Sequence, residues 1–435
     1  MAALKKIRDG GYANLVLREV LPTSGLTGVD ARFVTDLVYG VCRSMGTLDL
    51  IIEQASGRRL STLQPAVVDI LRLGSEQLLR MRVPTHAAVS TSVDLAHYVV
   101  GRRATGVVNA ILRKISVLTW EQWIEDISGE LGVNDALAVR TCHPRWIVEA
   151  YSDVLPGEEL LPGLEANNTV PIPTLAIRPT LMTREELLGF GGEPTQYSPW
   201  GVVRPGDPSE LLAVRTGRAG VQDEGSQLVA GLLAQVDAPS GPWLDMCAGP
   251  GGKTALLAGL AREPGETVVG VEVHEHRAVL VRENLRGFLP SGPENPPVHV
   301  LVADGRKPSW GQSFSRVLVD APCTGLGALR RRPEARWRKR REDLAGLRVL
   351  QQELLMSACR STLPGGVVAY VTCSPHVEET AEVVDTVAGA MDIIDAPGFI
   401  PDVPHARAST DSRFLQLWPH RHGTDAMFCA LLRKP

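Results

Sequence analysis

Leu244-Asp245-Met246-Cys247-Ala248-Gly249-Pro250-Gly251-Gly252-Lys253-Thr254 reads as an apolar strand end that runs through a glycine turn into the start of a helix. Glycines at that junction let backbone amides approach a ligand at a helix N-terminus. A phosphate-binding P-loop would need glycine six positions before Lys253, and Cys247 stands there, so ATP is disfavoured. Outward from this turn the chain alternates between the two periods of regular structure. Strands are predicted at 243–247, 267–273, 298–303, 316–320 and 366–373, and helices at 254–261, 275–288 and 343–363. That alternation predicts a mainly parallel sheet with helices on both faces, which binds ligands at the carboxyl ends of its strands.

Two acids fall at such ends. Glu272 closes the second strand about 20 residues after the glycines, where a doubly wound nucleotide site places a carboxylate on ribose hydroxyls. Asp304 follows the third strand and is placed to accept from an adenine amino group. Each acid alone is an ordinary turn residue. Three features in chain order after three strands favour a nucleotide-like cofactor.

The 435 residues are enough for two to three domains, and 44% hydrophobic with 22% charged residues suits a packed chain. Residues 4–118 carry helical spacing, with Val34, Leu37 and Val41 on one face, Val68, Leu71, Ser75 and Leu78 behind Pro65, and Val107, Val108, Ile111 and Ile115 further on. An all-helical domain is expected over 1–130, a small α+β linking domain over 131–230, and the α/β domain over 231–435. Within the linking domain, 174–177 reads as a short apolar run and Thr183 opens a capped helix. Eight Gly or Pro in 191–208 read as a loop or hinge outside the core.

The net charge of −4 excludes a global positive field, but residues 1–118 carry +6 and the remainder −10, so the two parts meet different partners. Seven cysteines without a C-x-x-C pair argue against a zinc knuckle or a disulfide framework, and no metal is expected. The N-terminus lacks a signal-peptide core and no uncharged run reaches the ~20 residues of a membrane span, so the expectation is a cytoplasmic protein without membrane contact.

Cys42, Cys142, Cys359 and Cys429 read as buried apolar residues. Cys323 and Cys373 differ, because each follows a predicted strand at the ligand edge, in Asp320-Ala321-Pro322-Cys323-Thr324-Gly325 and Thr372-Cys373-Ser374-Pro375. Carbon 5 of cytosine is a poor nucleophile, but thiolate addition at carbon 6 makes the ring an enamine that attacks a sulfonium methyl. One thiol suffices for that step. A second can assist proton removal from carbon 5, while an acid such as Asp320 holds N3. The chemistry does not say which thiol does which.

With DMCAGPGGKT, DAPCTG, RRRPEARW and TCSPHVEE in place, the chain resembles the Sun (Fmu) family of RNA cytosine-5 methyltransferases over most of its length; VQDEGSQLV, residues 221–229, resembles that family's entry into its catalytic domain. The resemblance implies a helical domain like the antitermination factor NusB, a small linking domain, and a Rossmann-like class I methyltransferase domain using S-adenosylmethionine. It implies that Cys247, Ala248, Gly249, Pro250, Gly251, Gly252 and Lys253 surround the methionine and ribose, that Glu272 binds ribose, that Asp304 faces adenine, and that Asp320 lies at the substrate edge. Lys253 joins the catalytic set. Cys373 would be the nucleophile and Cys323 the thiol that assists release. Arg332 stands where His is frequent in the family and Thr324 where Ser is common, and neither change removes a needed group. Ala426 and Met427 depart from the Gly-Asp-Gly-Phe-Phe typical of the last strand.

From Arg330 to Arg341 eight of twelve residues are basic. A charge run is usually a solvated face. Directly after the Pro-Cys motif, Arg330, Arg331, Arg332, Arg336, Arg338, Lys339 and Arg340 are expected to meet RNA phosphates. Arg102, Arg103, Arg113 and Lys114 offer a second basic surface. The expected activity is methylation of a cytidine in 16S rRNA by a monomer. Its alternatives are a tRNA or other RNA substrate, and a non-catalytic RNA-binding protein of the antitermination type.

Overall fold

A computed structural model describes residues 1–289 and 298–435. The chain folds as two compact units: Met1–Glu149 with Gly157–Asn168 and Leu329–Arg340, and Ala150–Pro156 with Thr169–Ala328 and Arg341–Pro435.

Among its described residues the first unit is helical, with helices Ala2–Arg8, Ala13–Ser24, Gly28–Ser56, Pro65–Leu79, Thr85–Val99 and Arg102–Ile115 followed by shorter ones. Its core is the set of apolar stripes these helices turn inward: Leu37, Val41, Ile51 and Ile52 from the long helix, Val68 and Leu71 from the fourth, and Val108, Ile111, Leu112 and Ile115 from the sixth. The expected stripe of the sixth helix is rotated slightly. Val107 is 37% exposed, because the buried face is centred on Ala104, Val108, Ile111, Leu112 and Ile115 and Val107 stands about 80° off that centre.

Residues 133–149 and 157–168 belong to this first unit, which moves their helices out of the linking domain expected at 131–230. One arginine shows why. Arg336 is fully buried and its guanidinium donates to the carbonyls of Cys142 (2.9 Å) and Asn167 (3.2 Å) and to the Asn168 side chain (2.7 Å), tying 329–340 to that helical segment.

The second unit contains two sheets. The smaller joins β1 (Thr174–Ile177), β2 (Glu193–Pro194), β3 (Gly201–Val203) and β4 (Ala219–Val221) in the order β2-β3-β1-β4, with the β1 pairings antiparallel. Thr183 caps the following helix Arg184–Leu188 through a reciprocal bond with Glu186. Residues 191–208, expected to lie outside the core, supply β3, and Val202 is fully buried there. The glycines allow this: a Cβ at Gly201 would stand 2.3 Å from the Thr195 hydroxyl, so the chain packs where no side chain fits.

The larger sheet contains β5 (Trp243–Asp245), β6 (Val268–Glu272), β7 (Val298–Val302), β8 (Phe314–Asp320), β9 (Thr362–Thr372), β10 (Asp392–Ile394), β11 (Leu415–Gln416) and β12 (Phe428–Arg433). Its order is β10-β12-β9-β8-β5-β6-β7, with β11 added on β12; β9 to β7 are parallel and β12 runs antiparallel beside β9. Strand alternation divides the core. Val317, Val319, Val368 and Tyr370 pack with Leu354 and Leu355 of the helix Asp343–Ser361, while Leu318, Val367, Ala369 and Val371 pack with Leu232, Leu256 and Leu257 of the helices on the other face. This is a Rossmann-like domain with helices on both faces.

Candidate active site

The strands β5, β6, β8 and β9 end on one edge, and the expected side chains of the second unit gather there. β5 ends at Asp245, whose buried carboxylate accepts from the Thr254 hydroxyl (2.7 Å) and from the Cys247 N–H (3.3 Å). Burial pushes the Asp245 carboxyl up to about 7, against the Thr254 bond that works to lower it. The turn then enters the helix Gly252–Arg262 through Gly251 at φ +111°, where a Cβ would meet the Val281 backbone at 2.9 Å.

Glu272, at the end of β6, is 2% exposed and accepts from the His274 N–H at 3.0 Å. Arg277 lies 3.5 Å from its carboxylate and donates to the Gly249 carbonyl at 2.7 Å. A Cβ on Gly249 would stand 2.2 Å from the Glu272 carboxylate, so the glycine lets the acid lie against the turn. Arg277 escaped the sequence reading, since one arginine among charged helix residues carries no pattern. Asp304, past β7, has both carboxylate oxygens bound by Arg306, at 2.7 Å from Nη2 and 3.0 Å from Nε, and these bonds hold its carboxyl below the usual range.

Lys253 Nζ donates to Asp320 at 2.8 Å, joining the first turn of the helix after β5 to the end of β8. Burial opposes the ammonium charge, but the charge and hydrogen bond of Asp320 outweigh it and raise Lys253 above the ordinary lysine value. The sulfurs of Cys323 and Cys373, at the ends of neighbouring strands β8 and β9, lie 3.4 Å apart. The hydrogen bond with Cys373, together with burial, pushes the Cys323 thiol well up. The other cysteines behave as apolar residues: burial raises Cys42 and Cys429 to about 12 and Cys359 to about 11, and raises Cys142 as well.

The basic segment folds within the first unit, and its side chains divide. Arg336 is fully buried on the carbonyls named above, and Arg330 is buried too, which removes both from the set expected to meet phosphate. Arg338 donates to the carbonyls of Ile7, Gly10 and Gly11, and Trp337 donates to the Cys42 carbonyl at 2.8 Å. Arg332 lies 5.0 Å over the Tyr12 ring and is exposed, as is Arg340, whereas Arg331 and Lys339 are half-buried.

The chain is similar to known proteins in both its N-terminal and its C-terminal part. The family described as 16S rRNA methyltransferase RsmB/F matches residues 232–433, and the NusB family matches residues 2–117. A putative methyltransferase of Mycobacterium tuberculosis is 47% identical over 97% of this chain and 93% of its own. The ribosomal RNA small subunit methyltransferase B of Vibrio cholerae is 30% identical over 100% of this chain and 96% of its own. The chain belongs to the RsmB/F family.

As a member of that family it is a methyltransferase with S-adenosylmethionine as cofactor. The fold is shared with the solved structure of PH0851, at 23% identity and a TM-score of 0.82 over 100% of this chain and 97% of that one. The residues present suit the cofactor: a turn with no room for a side chain at Gly249 or Gly251, uncapped helix amides, and a buried strand-end acid beside them. Among the described residues no cluster of His, Cys, Asp and Glu could hold a metal ion, and no helix is long and apolar enough to cross a membrane.

Proposed function

We propose that this RsmB/F enzyme methylates carbon 5 of a cytidine in 16S rRNA through a covalent cysteine adduct at carbon 6. The observation that carries this reading is the pair of sulfurs 3.4 Å apart on the sheet edge that also holds the Lys253–Asp320 pair. When bound, S-adenosylmethionine supplies an electrophilic sulfonium methyl. Cys247 to Lys253 would surround its methionine and ribose, Glu272 would take the ribose hydroxyls and Asp304 the adenine.

The Cys373 thiolate adds to carbon 6, and carbon 5 thereby gains the electron density it lacks in the aromatic ring. Asp320, held in place by Lys253, fixes N3 and stabilises the adduct. Once carbon 5 is methylated, Cys323 assists removal of its proton, and the Cys373–carbon 6 bond breaks. The order of the two thiols follows the family resemblance. Carbon 6 is hidden in a duplex, so the target is an unpaired or extruded cytidine. Arg331, Arg332, Lys339 and Arg340 remain as phosphate contacts.

Transfer of labelled methyl from S-adenosylmethionine to 16S rRNA, with tRNA as competitor, tests the reading. Label at cytidine carbon 5 that disappears in Cys373→Ala is expected. Label on tRNA in preference, or on another atom, would refute it.

A further inference from the structure

Glu379 has no part in the chemistry above, yet it is a fully buried carboxylate six residues beyond Cys373. One of its oxygens accepts from the Thr324 N–H at 2.8 Å and from the Gln351 side chain at 3.1 Å; the other accepts from the Thr324 hydroxyl. Thr324 adjoins Cys323. Its hydroxyl also lies 3.1 Å from that of Ser374, which adjoins Cys373. Gln351 donates in addition to the Pro322 carbonyl at 2.8 Å, on the other side of Cys323. The Glu379 backbone is fixed in turn, because the Tyr370 hydroxyl donates to its carbonyl at 2.8 Å from β9. The Glu379 carboxylate therefore holds the residue beside Cys323 directly and, through the Thr324 hydroxyl, reaches the residue beside Cys373, in a site where a change of ~1 Å in placement costs about a hundredfold in rate.

We propose that Glu379 is a positioning residue that clamps the Pro-Cys loop against the Thr-Cys loop and sets the separation of the Cys323 and Cys373 sulfurs. The two thiols then meet the same base in one turnover. That consequence rests on the mechanism proposed above, whereas the separation itself does not. The clamp also accounts for Thr324, since the family's usual serine would supply the same hydroxyl.

The separation is measured by cross-linking in the full-length protein, without RNA or cofactor, using the azo oxidant diamide. The N=N group takes two electrons and both thiol protons to become a hydrazine as the Cys323–Cys373 bond forms, and peptide mass reports the bond. Glu379→Ala is expected to slow cross-linking about tenfold, as the loss of buried hydrogen bonds implies. Glu379→Gln, which keeps one acceptor oxygen, falls between it and the parent. Thr324→Val slows it as well, and Thr324→Ser does not. In methyl transfer Glu379→Ala lowers kcat and leaves both KM values unchanged. Cross-linking at the parental rate in folded Glu379→Ala and Thr324→Val would overturn the proposal and reduce Glu379 to a stabilising residue. Slower cross-linking with unchanged kcat would uphold the clamp and reject the two-thiol mechanism instead. If Glu379→Ala does not fold, Thr324→Val decides alone.

Discussion

Asp320 to Ala328 and Leu329 to Arg340 are neighbours in the chain, and both attract a functional reading, one for its cysteine and one for its arginines. In the structure they do opposite things. The first presents Asp320 and Cys323 at a strand end, where the direction of the sheet dictates which side chains meet a ligand. The second turns Arg336 and Arg338 onto backbone carbonyls of its own helical unit. A thiol in a strand-end loop has its surroundings fixed by local order, whereas a guanidinium serves phosphates and carbonyls equally well and only packing decides between them.

The sharpest way to break that contrast is to remove one side chain from each stretch or its partner. Cys373→Ala is expected to abolish methyl transfer, a loss on the order of 10⁴-fold or more, with little change in stability. Activity retained within tenfold would leave the strand-end reading without its nucleophile. Arg336→Ala is expected to act on the fold, destabilising the protein by about 3 kcal/mol in urea unfolding, because it leaves buried carbonyls without their donor. Parental stability together with weakened RNA binding would return Arg336 to the phosphate surface.

A comparison of two buried charges sharpens the point. Arg336 donates to fixed carbonyls, whereas Asp245 is pushed up to about 7 by burial from an ordinary value of 3.8. Between those values the unfolded chain has released a proton that the folded chain keeps, so this group makes stability fall as pH rises from about 4 to 7. Asp245→Asn should therefore gain melting temperature relative to the parent as pH rises through that window. A constant difference would show that Asp245 is ionised throughout. The smallest effect is expected from Arg332→Gln and Lys339→Gln, which should weaken RNA binding a few-fold and lower the salt slope by ~1 for each phosphate no longer neutralised, without affecting stability.

Most of the second unit's fold was legible, because alternating strands and helices announce a parallel sheet and glycines mark its ligand edge. Lys253, Glu272, Asp320, Cys323 and Cys373 could be placed on that edge from chain order alone. Glu379 could not, although it lies within the quoted TCSPHVEE motif, since its partners Thr324 and Gln351 are 55 and 28 residues away. The same limit explains 191–208, where glycines that look like a hinge let β3 pack tightly. It also explains the helical segment before Asn168, which is tied to 329–340 by an arginine 168 residues further on.

The most direct test of the two-thiol account is to isolate covalent protein–RNA complexes from Cys323→Ala and Cys373→Ala incubated with S-adenosylmethionine and 16S rRNA. The account predicts a stable adduct that accumulates in Cys323→Ala and none in Cys373→Ala. An adduct in Cys373→Ala but not in Cys323→Ala would make Cys323 the nucleophile and contradict it.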